Sequence, residues 1–562
     1  FNFNMNCALA ATKLLSSGKS KISKQRVCLL FASESGRTES WAKHLYNILR
    51  RRLKLDEPID LCSPCVNFRK LLESSSYFII MASTCGSGSW PTGTEHFIDF
   101  INKPEIDTKM ENDASTKFFS VLGFGSSAYP KFCQGGRDIF REVSNSKRKK
   151  LVPMFDFHTA DELDGEGASV SNFIVKLLDF FQRKGLINSS VHKLLCEDNG
   201  VGSNVASSYS LKLLTKEEAL YMEPKSRRDI VSQSTNANLI ASLVRREHLD
   251  QDDKFLSSMK LTFKLDGDIK APLYLPGDHV RIQPMLPLST ARKFMQDLGF
   301  TGEESVLIEP NLPNLPALVN LCTLFTRILN LEAEPSLTFL TNVVAKHATS
   351  KSEKLLVQTI LTDDKERNIY YSKTGITIGD IFDFFPSLRS KTEALLLDII
   401  TTTPFLRPRS YSLSSSCSLV SASIFDITVG RVQYRKGATL QSKMGVCSDF
   451  LATCLLNTAV SVDFKCAKDF KLPPNSTTPI LMFAAGTGIA PFRSFWQHRS
   501  YLKSINVNLG EAHLYFGCRT KAKESYAQEC QNMVKEGILT KYAVAYSREQ
   551  NIPKKYVGEL IL

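Results

Sequence analysis

Apolar runs of strand length recur along this chain, and each ends in a loop of small or hydroxyl-bearing residues that gives way to a helix pattern. That alternation restricts the fold: a parallel strand pair needs a crossover, usually helical, to bring the chain back to its starting edge. Residues 479–499 are a sharp instance. Residues 480–483 read as a buried strand, residues 484–488 as a small-residue loop, and a helix opens near Pro491. Small residues at such a joint let backbone N–H groups approach a pyrophosphate, and the helix N-terminus favours an anion. An ordinary strand–turn–helix joint has the same local pattern, so the weight comes from comparable loops upstream.

Residues 27–32 read as a strand, followed by Ser33, Glu34, Ser35, Gly36, Arg37 and Thr38. The next helix carries Trp41, Leu45, Ile48, Leu49 and Leu53 at helical spacing. Hydroxyls and amides at a helix start suit a phosphate monoester, with plain N-capping as the alternative. Residues 77–82 lead into Ser83, Thr84, Cys85, Gly86, Ser87, Gly88, Ser89 and Trp90. Residues 118–123 lead into Gly125, Ser126, Ser127 and Tyr129, and a last strand over 151–157 precedes Asp161 and Glu162. In a doubly wound parallel sheet the carboxyl ends of the strands share one edge, where the ligand sits. A phosphate loop, a glycine-rich loop and an aromatic loop on that edge describe a flavodoxin-like FMN site.

Residues 186–235 are polar and read as a hinge or connector. Residues 259–265 and 273–282 then read as strands around the turn Pro276-Gly277-Asp278, residues 288–398 turn helical, and strand character returns at 425–432. A helical subdomain inserted into a β domain over 236–475 accounts for this order. Within it Arg409-Ser410-Tyr411-Ser412 supplies a cation, an aromatic face and hydroxyls. On a strand Arg409 and Tyr411 share one face, so charge and ring can hold a pyrophosphate and a flavin together. Gly445-Val446-Cys447-Ser448 opens an amphipathic helix, a second phosphate-ready N-terminus. Past residue 499, strands over 513–518 and 542–546 flank a helix over 526–534. Ser547, Arg548, Lys554 and Tyr556 follow, cations and hydroxyls placed to select the 2′-phosphate of NADP.

The 562 residues suit roughly three to four globular domains, and 43% hydrophobic with 23% charged residues excludes a disordered chain. A net charge of +13 fits nucleic acid, an anionic membrane face, or anionic cofactors with an acidic partner. No aromatic–basic repeat or finger spacing is present, so no nucleic-acid partner is expected. Fourteen dispersed cysteines read as reduced thiols of a cytoplasmic protein. Cys62 and Cys65 form a C-x-x-C without a second pair, so no metal is expected. No apolar run reaches the ~20 residues of a transmembrane segment. The run 147–150 reads as a solvated basic loop, and residues 1–26, with a thin apolar stripe and five basic residues from Lys13 onward, read as a linker. The Phe1 start and the stop in an apolar run at Leu562 read as a fragment clipped at both ends.

With these loops in order, residues 27–562 resemble the diflavin reductases, and within them the reductase half of the nitric oxide synthases. The motifs carrying the resemblance are Arg409 to Ser415, Gly445 to Ser448, and Gly486-Thr487-Gly488-Ile489-Ala490-Pro491. The synthase flavour lies in Phe492 to Gln497, Tyr129 to Cys133, Asp161 to Leu163, Ala545 to Glu549 and Pro553 to Val557. The resemblance implies an α/β multidomain chain. A flavodoxin-like doubly wound sheet over 27–185 would bind FMN. A ferredoxin-reductase-like antiparallel β-barrel over 236–475, with its helical insert at about 288–398, would bind FAD. A truncated Rossmann-like domain over 476–562 would bind NADPH. The implied FMN residues are Ser33 to Thr38, Ser83, Thr84, Cys85, Gly86, Gly88, Gly125, Tyr129, Cys133 and Glu162. Arg409, Tyr411, Ser412 and Gly445 to Ser448 fall to FAD, with Ser412 catalytic in hydride transfer. Gly486, Thr487, Gly488, Arg519, Ser547, Arg548, Lys554 and Tyr556 fall to NADP.

Electrons would pass from NADPH through FAD and FMN to a haem. In a synthase that haem lies, with tetrahydrobiopterin, in an upstream oxygenase domain that makes nitric oxide and citrulline from arginine; none of that domain is in this chain. Residues 1–26 take the position of the family's calmodulin-binding helix, so calmodulin is an expected partner and a homodimer the expected full-length assembly. The short interval 102–117 is closer to the inducible or an invertebrate type. Cys85 stands where the family carries a ring that stacks on FMN, which predicts weaker FMN retention. Ala484 replaces a family glycine. The family's C-terminal Cys-Gly-Asp segment lies past Leu562, which predicts poor hydride transfer by this fragment. A free-standing diflavin reductase serving another haem or cobalamin protein is the alternative, and a catalytically impaired regulatory paralogue is a second.

Overall fold

A computed structural model describes residues 26–33, 37–53, 59–62, 75–84, 88, 90–91, 116–127, 129–145, 151–162, 166–187, 209–222, 239–250, 257–267, 274–309, 312, 315–421, 423–436, 441–467, 470–550 and 552–560. The expected linker at 1–25 and the basic run 147–150 lie outside these. The chain forms two compact units, the first drawn from residues up to 198 and the second running from 199 onward with the short segments 126–128 and 160–172 added.

The first unit is built on a sheet of strands β1 (Val27–Ala32), β2 (Asp60–Cys62), β3 (Tyr77–Ser83), β4 (Lys117–Gly125) and β5 (Leu151–Pro153) in the order β2-β1-β3-β4-β5, with β6 (His158–Asp161) pairing β4. The β1–β2, β1–β3, β3–β4 and β4–β5 ladders are parallel. Strands buried on both faces need unbroken apolar runs, and β1 and β3 supply them. The helix Arg37–Arg52 buries Trp41, Leu45 and Leu49, and the helix Glu166–Arg183 buries Phe173, Leu177 and Phe181. The strand order reverses between β1 and β3, which opens a crevice at their carboxyl ends. The strand expected over 151–157 is two short ones, β5 and β6, separated by residues 154–157.

In the second unit, β8 (Leu239–His248), β9 (Ser258–Leu265), β10 (His279–Ile282), β13 (Arg409–Ser412), β14 (Ile424–Gly430) and β17 (Ala459–Lys465) form a six-stranded sheet in the order β13-β10-β17-β8-β9-β14. Its ladders are antiparallel among the described residues, and alternate residues such as Leu261, Phe263, Val280, Ile427 and Val462 fill one core. The barrel expectation needs a correction: the ladders do not close. The outer strands meet through one isolated bridge, Leu413 to Ile427, with the Ser414 N–H donating to the Asp426 carbonyl at 2.8 Å. Strand β10 is shorter than expected, because Gly277 at φ +94° turns the chain just before it.

The insert is helical, as in Leu288–Asp297, Lys351–Thr362 and Glu393–Thr402, but not wholly so. Strands β11 (Ser305–Glu309) and β12 (Leu318–Asn320) join β7 (Ser210–Leu214) in a three-stranded sheet. Strand β7 and the helix Lys216–Met222 lie inside the expected 186–235 connector, so that stretch is partly ordered structure. A third sheet, β18 (Ile480–Ala485), β19 (Ala512–Cys518) and β20 (Lys541–Tyr546), is parallel and is linked by the helices Ala490–Ser504 and Ala527–Lys535. Met482, Leu514, Phe516, Trp496 and Cys530 form its core.

Candidate functional site

The carboxyl ends of β1, β3 and β4 are tied together. Ser83 Oγ donates to the Ala32 carbonyl at 3.3 Å, and the Thr84 N–H donates to the Phe124 carbonyl at 2.9 Å. Thr84 Oγ1 in turn accepts the Gly135 N–H at 3.1 Å. At this edge the Ser33 and Ser126 hydroxyls are buried without a hydrogen-bond partner among the described residues. Buried hydroxyls are seldom left unpaired, so a polar ligand fits here. Tyr129 is 64% exposed, its ring open to a planar ligand. Arg37 opens the first helix, with Thr38 buried behind it. Gly88 adopts φ +104°, a conformation that favours glycine.

Gly125 is fixed by close approach: a Cβ there would lie 2.8 Å from the Cys133 nitrogen. Cys133 itself is wholly buried at φ +51°, its thiol donating to the Gly123 carbonyl at 3.3 Å. It shapes the edge from beneath rather than presenting its side chain to a ligand. Trp90, at the end of the glycine-rich loop, packs against the core of this sheet. Glu162 follows β6, partly buried, and its neighbour Asp161 accepts the Ser127 N–H at 3.1 Å, a role the sequence did not assign. Glu34, Ser35, Gly36, Cys85 and Gly86 lie outside the described residues.

The two expected FAD motifs come together. Register places Tyr411 opposite Val280 and Arg409 opposite Ile282, so both share a face, while Ser412 lies opposite His279. Tyr411 packs on the barrel core and its phenol is hydrogen-bonded to the Cys447 thiol. Burial pushes that thiol up to about 11 and raises the phenol as well. Arg409 stays exposed, its Nη1 donating to the Arg407 carbonyl at 3.0 Å. Gly445 caps the helix Val446–Thr453 with no side-chain bond, so the first N–H groups of that helix are open to a ligand. A Cβ on Gly445 would meet Ser448 Oγ at 2.9 Å and Val432 Cβ at 3.2 Å. Ser448 Oγ accepts the Val432 N–H at 3.1 Å, fixing the turn. A cation, a ring and an uncapped helix start fit a flavin with a pyrophosphate. Sequence reasoning missed Asp278, whose carboxylate accepts the Leu275 and Ala467 N–H groups at 2.7 and 2.8 Å and pairs with Lys471. Burial works against its charge, but Lys471 and the two amides hold its pKa below the usual carboxylate value.

At the third sheet, Gly486 at φ +51° begins the 3-10 turn Gly486–Ile489, which runs into the helix Ala490–Ser504. A Cβ on Gly486 or Gly488 would meet nothing within 4 Å, so the face of the loop with Thr487 is open to a ligand. Ala484 lies inside β18, buried and without a positive φ, which is why a methyl is accommodated. At the ends of β19 and β20 the Ser547 N–H donates to the Cys518 carbonyl at 3.0 Å and the Arg548 N–H to the Arg519 carbonyl at 2.8 Å. Those bonds set Arg519 beside Arg548. Lys554 Nζ sits 4.8 Å over the Tyr556 ring. Glu524, unassigned from sequence, accepts the Tyr542 and Tyr546 hydroxyls at 2.8 and 2.5 Å and braces the end of β20. Arg519 and Arg548 thus come from paired backbone at the ends of β19 and β20, where cations suit the phosphate that separates NADP from NAD.

Comparison with known families finds three matches along the chain. Residues 29–172 match a flavodoxin family model, residues 232–450 an FAD binding domain, and residues 482–561 an oxidoreductase NAD-binding domain. These three follow one another in the order that the resemblance to the diflavin reductases implies, and they mark an NADPH-dependent flavoprotein oxidoreductase using FMN, FAD and NADPH. Within that class it is similar to the nitric oxide synthases. It is 27% identical over 563 residues to the inducible nitric oxide synthase of Bos taurus and 28% identical over 565 residues to that of Sus scrofa. Each alignment covers 97% of this chain and 46% of the relative. A nitric oxide synthase-like protein of Bombyx mori is 28% identical over 79% of this chain and 41% of its own length. The chain thus spans about half the length of the curated relatives it matches.

Proposed function

We propose that this chain is the reductase portion of a nitric oxide synthase, delivering electrons to a haem oxygenase domain that makes nitric oxide and citrulline from arginine. The observation that carries this reading is the reach of the synthase similarity across 97% of the chain, including the helical insert that divides the FAD segment. When bound, NADPH supplies a hydride and the two flavins divide its two electrons into single-electron deliveries. The chain's own work is placement. Gly486 to Gly488 with the following helix would hold the pyrophosphate, and Arg519, Ser547, Arg548, Lys554 and Tyr556 the 2′-phosphate. Arg409, Tyr411 and the Gly445–Ser448 turn would hold FAD with Ser412 at the reacting edge, while Ser33, Thr38, Thr84 and Tyr129 would hold FMN.

Calmodulin and a cytoplasmic setting belong to the same proposal, supported by the position of residues 1–26 and by fourteen cysteines dispersed along the sequence, and so does a homodimer. The deciding experiment uses the full-length protein with NADPH and arginine, with and without calcium–calmodulin. Citrulline formation with reduction of a haem in the same polypeptide is expected. A protein that reduces cytochrome c but contains no haem would replace this reading with the free-standing reductase.

A further inference from the structure

The helix Ala490–Ser504 both continues the NADP loop and locks onto the barrel. Arg493 and Gln497 stand one turn apart on it, and both are buried. Arg493 Nη1 donates to the Ser414 carbonyl at 2.8 Å and to Asp426 Oδ2 at 3.0 Å, while its Nε donates to Glu529 Oε2 at 2.9 Å. Gln497 Oε1 accepts the Ser416 N–H at 2.9 Å. The Tyr526 ring lies 5.0 Å from the guanidinium carbon, and its hydroxyl shares a 2.7 Å hydrogen bond with Thr428 of β14. Ser414 and Ser416 follow Ser412 by two and four residues.

Burial alone would lower the Arg493 pKa, but Glu529, Tyr526 and Asp426 outweigh it and keep the charge. A guanidinium is costly to bury unless its donors are matched, and these are matched to groups on two different elements of the barrel as well as to the neighbouring helix. A packing role would be served by an aliphatic side chain; a forked cation bonded through both Nε and Nη1 fixes direction as well as distance.

We infer that Arg493, supported by Gln497, is a positioning residue for hydride transfer. It holds the NADP loop in register with the strand end that carries Ser412. The inference rests on the assignment of that strand to FAD. In the step concerned a hydride leaves the nicotinamide C4 and bonds to the flavin N5, leaving NADP+ and two-electron-reduced FAD; Arg493 gives and takes no proton. Its contribution is geometric, and a displacement of about 1 Å at such a step costs on the order of 100-fold.

The test uses the full-length holoenzyme with Arg493→Lys and, separately, Gln497→Ala. Three quantities are read: NADP+ affinity by calorimetry, amide exchange over residues 412–418, and stopped-flow FAD reduction by NADPH and by its 4-deuterated form. For Arg493→Lys, affinity within about 2-fold of wild type, exchange faster by about 10-fold and FAD reduction slower by about 10- to 100-fold are expected, with a larger isotope effect. Gln497→Ala is expected to move the same way by a smaller factor, and it carries the test if the lysine variant fails to fold. Faster exchange with an unchanged rate of FAD reduction would overturn the inference, since the network would then be structural only. A wild-type holoenzyme that binds no NADP+, or whose FAD is not reduced by NADPH, would instead bring down the cofactor assignment on which the inference stands.

Discussion

Single residues at the sheet edge of the first unit act through what they exclude. Gly125→Ala would set a methyl 2.8 Å from the Cys133 nitrogen, a backbone atom that cannot swing aside. Overpacking of this kind costs about 1–3 kcal/mol, so urea unfolding of this unit should shift by that amount and bound FMN, read by fluorescence after gel filtration, should fall. His44 makes a second residue-scale prediction. Burial lowers its pKa from 6.5 to about 4, so the folded unit favours the neutral ring. Between those two values the unfolded chain binds the proton more readily, hence stability is full above pH 6.5 and is lost as pH falls toward 4. At pH 5 the loss is on the order of 2 kcal/mol. His44→Leu should be near wild type in urea at pH 7 and more stable than wild type at pH 5; equal slopes with pH would refute the assignment. Among such residues the sequence was a partial guide. It named Cys133 from a motif, but a motif cannot say that the thiol points under the strand, and it gave Asp161 and Asp278 no bonding role because their partners lie 34 and up to 193 residues away.

At the scale of elements, strands with long apolar runs and loops with distinctive chemistry were legible, and short strands were not. Strand β7 has five residues with weak alternation, and its partner β11 begins about 90 residues later in the chain. Only the assembled sheet reveals it, so a polar neighbourhood read as a connector. Strands β5 and β6 were merged for a similar reason, because three of the four intervening residues, Met154, Phe155 and Phe157, are apolar. The Gly486–Ile489 turn was legible in kind, and its glycine requirement is now explained. Gly486→Ala meets no steric obstacle but places a side chain at φ +51°, which costs about 1–2 kcal/mol. Lower thermal stability together with weaker NADP+ binding by calorimetry is expected. Unchanged binding would mean that the turn does not carry the pyrophosphate.

Across the whole molecule, three cofactor-binding segments follow one another in the chain, and the comparisons identify each. Discrimination between the two nicotinamide dinucleotides should reside at the ends of β19 and β20. Arg548→Ala should raise the KM for NADPH by about 10-fold or more while changing that for NADH little, since one charge-assisted contact to phosphate contributes roughly 1.5–3 kcal/mol. An equal change for both dinucleotides would place the 2′-phosphate elsewhere. A helical insert, not visible as a boundary in composition, divides the FAD segment, and its small sheet borrows β7 from before the barrel begins.

One flank of β13 is laddered to β10, while the other meets β14 only past Ser412, through the Leu413–Ile427 bridge and the Ser414 N–H to Asp426 carbonyl bond. Four ladder partners on one flank and no ladder on the other make this flank the one that parts most readily without melting the rest of the sheet. That flank belongs to the segment that carries Arg409, Tyr411 and Ser412, so a ligand held by those three residues would brace the more weakly tied side of the strand. Amides of Leu413 and Ser414 should accordingly exchange early in the apoprotein and become protected once FAD is bound, ahead of any change at β8 or β9.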